Sequence, residues 1–116
     1  MKVGHIEIFV SSPTAAREFY ERALGFEVAA VQGDQFVWLT NHGREFLLRP
    51  TREAPAAKSY RESAMAIVLY CSDLERTMAE LVSRGVTFAG TDGSEKCPTF
   101  TDPDGNWFQL VDPNDH

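Results

Sequence analysis

With 116 residues, 43% of them hydrophobic and 24% charged, the chain is long enough for one globular domain with a core of ordinary size. A net charge of −6 and a pI near 4.9 argue against nucleic-acid binding, which needs basic surface for phosphate contacts. Its apolar runs are far too short to cross a bilayer, and strand-like sequence from residue 3 leaves no room for a signal peptide, so the cytoplasm is the expected compartment.

The first predicted strand, Val3–Val10, alternates: Ile6, Ile8 and Val10 share an aliphatic face meant for a helix, while His5, Glu7 and Phe9 share the other. A polar break at Ser11-Ser12-Pro13 leads into a helix over Thr14–Leu24. Its apolar stripe is Ala16, Phe19, Tyr20 and Leu24, and Gly25 supplies the stop. Three short strands follow at Phe26–Val31, Gln35–Thr40 and Arg44–Arg49. The turns between them, Gln32-Gly33-Asp34 and Asn41-His42-Gly43, are rich in residues that tolerate positive φ. Phe36, Trp38 and Thr40 share a face whose side is left open. Residues 50–63 follow neither period and read as a linker.

The pattern then returns about sixty residues on. A strand is predicted at Met65–Cys71, and a helix at Leu74–Arg84 with Leu74, Met78, Leu81 and Val82 inward. Strands at Val86–Ala89, Lys96–Thr101 and Asn106–Asp112 complete the copy. In the turn Asp102-Pro103-Asp104-Gly105 the proline fixes φ early and the glycine takes the left-handed position. The chain is therefore a βαβββ unit written twice: one domain, with module one over about 1–50, a linker over about 51–63 and module two over about 64–113. Duplication predicts an α+β fold with pseudo-twofold symmetry and a cavity between the copies. Cys71 and Cys97 lack the spacing of a redox pair or zinc site and are expected to be free thiols. His42 lies in a turn and His116 at the end, both in positions open to water.

Several of these segments resemble the vicinal oxygen chelate superfamily of glyoxalases, bleomycin-resistance proteins and extradiol dioxygenases. The match is carried by His5, Val10-Ser11-Ser12, Phe19-Tyr20 and Leu24-Gly25-Phe26, and later by Asp102-Pro103-Asp104-Gly105-Asn106 with Leu110. The resemblance implies two tandem βαβββ modules whose mixed sheets curl into an eight-stranded cup, with one helix outside each module. In metal-using members the ligands come from the first and last strand of each module. Those positions fall here on His5 and, counting back from Pro50, Phe46; then on Ala66 and Gln109. Phe46 and Ala66 cannot bind a metal, and a catalytic site needs about three protein ligands. Glu7 shares the face of His5, and Glu45 stands one residue from the fourth-strand position, so a shifted register would bring a carboxylate inward.

These readings lead to a small-molecule binder of the bleomycin-resistance type, with no metal and no cofactor. Its expected binding residues are His5, Glu7, Phe9, Trp38, Phe46, Tyr70, Trp107 and Gln109, which would receive an apolar, aromatic or cationic ligand. No nucleic acid or membrane partner is expected, and the resemblance implies a homodimer. The alternative is a metal-dependent lyase, isomerase or dioxygenase with shifted ligands around His5.

Overall fold

The computed structural model describes residues 1–53 and 57–115. The chain divides into two compact units, Met1–Ala54 and Pro55–His116, each carrying one four-stranded mixed sheet. The fold is α+β and repeats a βαβββ module.

In the first unit β1 (Ile6–Val10) leads to helix α1 (Pro13–Glu18), which widens into a π-helical turn at Phe19–Ala23. Strands β2 (Glu27–Gln32), β3 (Phe36–Asn41) and β4 (Arg44–Pro50) follow, in sheet order β1-β4-β3-β2. The helix starts one residue earlier than its sequence indicated. Ser12 is the N-cap, its hydroxyl accepting from the Ala15 amide at 3.3 Å, and Pro13 occupies the first helical turn, where its missing N–H costs nothing. At the other end the Phe26 amide reaches back to the Tyr20 carbonyl at 2.9 Å, and Gly25 adopts φ 75° to allow it. Tyr20 is thereby drawn fully under the sheet, its ring 5.6 Å from Phe26, which lies 5.2 Å from Phe46. Helix α1 packs on β3 and β4, and Val10, Val37, Leu39 and Leu48 are sealed in the same core.

β1 runs parallel to β4 with Ile6 opposite Phe46 and Glu7 opposite Leu47. This register corrects one expectation. Phe46 shares the face of Ile6, Ile8 and Leu48, against the helix side, and is not on the face of His5. The residue beside Glu7 on β4 is Leu47. Counting from Pro50 misplaced it because Pro50 is still a strand residue, paired with Val10, whereas Pro113 lies beyond the end of the last strand.

In the second unit a 3₁₀ turn (Tyr60–Glu62) precedes β5 (Ile67–Tyr70), helix α2 (Leu74–Ser83), β6 (Phe88–Thr91), β7 (Pro98–Thr101) and β8 (Trp107–Val111). Sheet order is β5-β8-β7-β6, with β5 parallel to β8. Asp73 caps α2 as Ser12 caps α1, accepting from the Arg76 amide at 3.1 Å. Of the helix residues expected inward, Leu81 is buried, while Val82 is 56% exposed and stands outside the stripe. Phe100 stacks on Phe108 at 5.2 Å with planes 6° apart, and Phe88 meets Phe100 edge-on at 5.4 Å.

The turn into β8 is organised by one buried carboxylate. Asp102 accepts from the amides of Asp104 and Asn106 and from the Asn106 side chain, at 2.8–2.9 Å. The Asp-Pro-Asp-Gly-Asn motif is therefore the device that launches β8 in register. Of the linker expected over 51–63, residues 54–56 lie outside the described residues, as does His116. Residues 57–62 are not a free connection: they lie against the second unit's own sheet.

Candidate functional site

Each unit presents one sheet face away from its aromatic core. On the first, alternation and register bring together Glu7 on β1, Trp38 and Phe36 on β3, and Leu47, Arg49 and Glu45 on β4. His5, two residues before Glu7, joins them. His5 Nε2 lies 2.9 Å from Glu7 Oε2, and Arg49 Nε donates to Glu7 Oε1 at 2.7 Å. The His5 ring meets Trp38 edge-on at 4.7 Å, and the Arg49 guanidinium lies 5.3 Å from the Phe36 ring centre. The Trp38 indole N–H donates to Gln32 at 3.1 Å, fixing the ring. All three members of this hydrogen-bonded chain are partly exposed.

The hydrogen bonds from His5 and Arg49 hold the Glu7 carboxyl below the usual carboxylate range. An ionised carboxylate only accepts, so the proton of the shared bond sits on His5 Nε2. In the neutral ring Nδ1 is then the acceptor. The arrangement can orient a hydrogen-bonding ligand or move a proton at Nδ1, beside two aromatic rings. The sequence left the side of Trp38 open, and β3 turns it to His5. Phe9, opposite Arg49 on this face, is 48% exposed. Glu45, opposite Thr40, belongs to the same face but stands in solvent.

The equivalent face of the second unit is made by Trp107 and Gln109 on β8, Thr99 on β7, and Val68 and Tyr70 on the edge strand β5. Tyr70 is 75% exposed. Trp107 and Gln109 are only 6% and 7% exposed, because residues 57–62 cross them. The Trp107 indole donates to the Ala57 carbonyl at 3.1 Å, and the Tyr60 hydroxyl donates to Gln109 Oε1 at 3.1 Å. Gln109 Nε2 in turn donates to Asp92 Oδ2 at 2.5 Å. Burial, reinforced by the Asp92 carboxylate, raises the Tyr60 hydroxyl and also the Cys97 thiol, so both keep their protons. No periodicity or motif marks Tyr60, Asp92 and Cys97 as a cluster. The one available signal was that Tyr60 is the sole aromatic residue between Pro50 and Met65.

The four ligand positions that the resemblance implies are occupied, once the β1–β4 register replaces Phe46 by Leu47, by His5, Leu47, Ala66 and Gln109. Leu47 and Ala66 carry no donor atom. The Gln109 amide is held by Tyr60 and Asp92, and the nearby Glu7 is held by His5 and Arg49. This set does not fit a divalent ion that needs about three protein ligands. Among the described residues, no three His, Cys, Asp or Glu side chains are grouped to hold a metal. No helix among them is long and apolar enough to cross a membrane.

The fold is shared with several solved structures. A lactoylglutathione lyase from Agrobacterium tumefaciens superposes with a TM-score of 0.71 at 14% identity, over 97% of this chain and 93% of that one. TnmS3, an antibiotic-binding protein from a Streptomyces species, gives 0.69 at 24% identity, over 97% and 98%. FosX, a fosfomycin resistance protein from Listeria monocytogenes, gives 0.75 at 16% identity, over 96% and 90%. No curated protein matches the sequence significantly. Residues 2–110 match the family model, so nearly the whole sequence is accounted for, and the chain belongs to the Glyoxalase/Bleomycin resistance protein/Dioxygenase superfamily.

Proposed function

We propose that this chain binds a small aromatic molecule, without a metal, on the face that carries His5, Glu7, Trp38 and Arg49. One observation carries the reading: a hydrogen-bonded His5–Glu7–Arg49 chain, partly exposed, lies flanked by the Trp38 and Phe36 rings, while Leu47 and Ala66 stand where ligating side chains would be required. Ring stacking on Trp38 supplies affinity, and His5 Nδ1 selects a ligand with a hydrogen-bond donor, including a cationic amine. TnmS3, an antibiotic-binding protein, is a precedent for small-molecule binding on this fold. A cytoplasmic setting and a homodimer complete the reading. Ile6 and Phe9 on edge strand β1, with Val68 and Tyr70 on edge strand β5, leave apolar surface that a second copy would cover.

The test is a tryptophan-fluorescence screen of flat aromatic and cationic compounds, run beside glyoxalase and dioxygenase assays. Saturable quenching without turnover, weakened about three- to tenfold by Trp38→Ala, supports sequestration. Turnover abolished by His5→Ala would replace it with an enzyme, since loss of a catalytic group removes transition-state stabilisation. Light scattering at micromolar concentration reads the oligomeric state, and a particle of about 13 kDa, the mass of one chain, would exclude the dimer.

A further inference from the structure

The segment that crosses the second unit's sheet places a phenol on it. The Tyr60 ring stands edge-on to Trp107 at 6.3 Å with planes 85° apart, and its hydroxyl donates to Gln109 Oε1 at 3.1 Å. The acceptor is aimed by the chemistry around it. Asp92 Oδ2 accepts from Gln109 Nε2 at 2.5 Å, and Asp92 Oδ1 accepts from the Ser94 amide at 2.9 Å. With the amide nitrogen committed to a carboxylate, the carboxamide cannot flip without setting two oxygens against each other. Gln109 therefore presents an oxygen, and only an oxygen, to whatever lies over Trp107. Thr99, fully buried in the neighbouring strand, spends its hydroxyl on the Ala89 carbonyl at 2.7 Å and does not compete.

The segment itself is held lightly. Between extended Ser59 and Ser63 there is one 3₁₀ turn of three residues. Among the described residues its hydrogen bonds to the sheet involve side chains, Trp107 Nε1 to the Ala57 carbonyl and Tyr60 to Gln109, and the Arg61 guanidinium lies beside Gly93. The Lys58 amide is satisfied within the segment by Glu62 at 3.1 Å. Such a strap can lift while the β5-β8-β7-β6 sheet stays intact, because no strand pairing has to break.

We infer that Tyr60 is a built-in occupant of a phenol-binding site formed by Trp107 and Gln109, and that a phenolic ligand binds there by displacing the strap formed by residues 57–63. The ring of the ligand takes the edge contact with Trp107, and its hydroxyl replaces the Tyr60 donor on Gln109 Oε1. No bond is made or broken. A methoxy or unsubstituted ring would leave the buried Gln109 oxygen without a donor, which is the basis of selection. The inference concerns the second unit alone and stands or falls independently of the His5 face.

The experiment uses Tyr60→Ala in a Trp38→Phe background, where Trp107 is the sole tryptophan, with p-cresol as probe and toluene as the ring that lacks the hydroxyl. At ten times its apparent Kd, p-cresol is expected to raise the variant's Tm by about 5 °C and to change Trp107 emission saturably. Toluene should bind at least tenfold more weakly, as should p-cresol to the parent that retains Tyr60. Equal binding of toluene, no binding of either probe, or equal p-cresol binding with Tyr60 in place overturns the proposal. Should the alanine variant fail to fold, hydrogen exchange on the unmodified protein decides. The Trp107 indole N–H should exchange faster than the Phe108 and Leu110 amides, and faster strap opening should follow Tyr60→Phe. Exchange of the indole only with global unfolding would rule out a strap that lifts.

Discussion

Glu7 is the residue on which the first unit's polar face turns, because its two oxygens serve two different partners. Its carboxyl is depressed by His5 and then Arg49, so the charged form is favoured in the folded protein. For a group shifted this way, the stabilisation is present above the ordinary value near 4.5 and fades as the pH falls through the lower folded value. Glu7→Gln should therefore be less stable than the parent at pH 7, with the gap closing below about pH 4.5 in urea titrations. A gap independent of pH would place its origin in packing. The cysteines offer a second residue-scale check. Cys97 is fully buried, and burial with the Asp92 carboxylate raises its thiol, whereas Cys71 is half-buried at the end of β5. Iodoacetamide at pH 8 should label Cys71 in the native protein and reach Cys97 only on unfolding, as mass spectrometry would read.

The elements explain both what the sequence disclosed and what it withheld. Alternation in β1 and β8, the polar breaks before both helices and the glycine turns were legible, because each is a local choice with a local reason. The placement of Phe46 was not, since it depends on pairing across the sheet. Gly43 and Gly105 each stand three residues before the buried phenylalanine of the last strand, Phe46 and Phe108, so the turns set the register and the terminal prolines do not. Phe46→Ala should consequently cost about 3–5 kcal/mol by thermal or urea unfolding, the loss of a core ring. A change under 1 kcal/mol accompanied by weaker ligand binding would return it to the site. The Tyr60 strap was illegible for a different reason: nothing periodic marks three residues held by side-chain bonds. Gln109 gives the element-scale test of that cluster. Gln109→Glu sets a carboxylate against Asp92, and the variant should lose about 1–3 kcal/mol at pH 7. Like charges raise the folded pKa, so the deficit should shrink as the pH falls, measured by urea unfolding at pH 7 and pH 5.

For the whole molecule, two copies of one βαβββ plan have kept their scaffolding and diverged on the faces away from the core. The first copy holds a partly exposed hydrogen-bonded chain beside two rings, and the second holds a covered amide beside a buried indole. Protein purified without a chelator or affinity tag should carry well under one equivalent of zinc, iron, manganese or nickel by elemental analysis, since only His5 among the four inherited positions is a strong ligand. A stoichiometric metal lost on His5→Ala would reverse this. In each module the opening strand is paired with the closing one, Ile6 with Phe46 and Ile67 with Phe108. During synthesis, β5 therefore has no partner until β8 leaves the ribosome about forty residues later, at roughly 5–20 residues per second. For those few seconds Val68 and Tyr70, both exposed, sit on a strand with both edges open, a template for the wrong neighbour. A chain halted at Asp102 should be captured by aggregation while one released after Val111 is not, so exposure to misassembly lasts until β8 is translated.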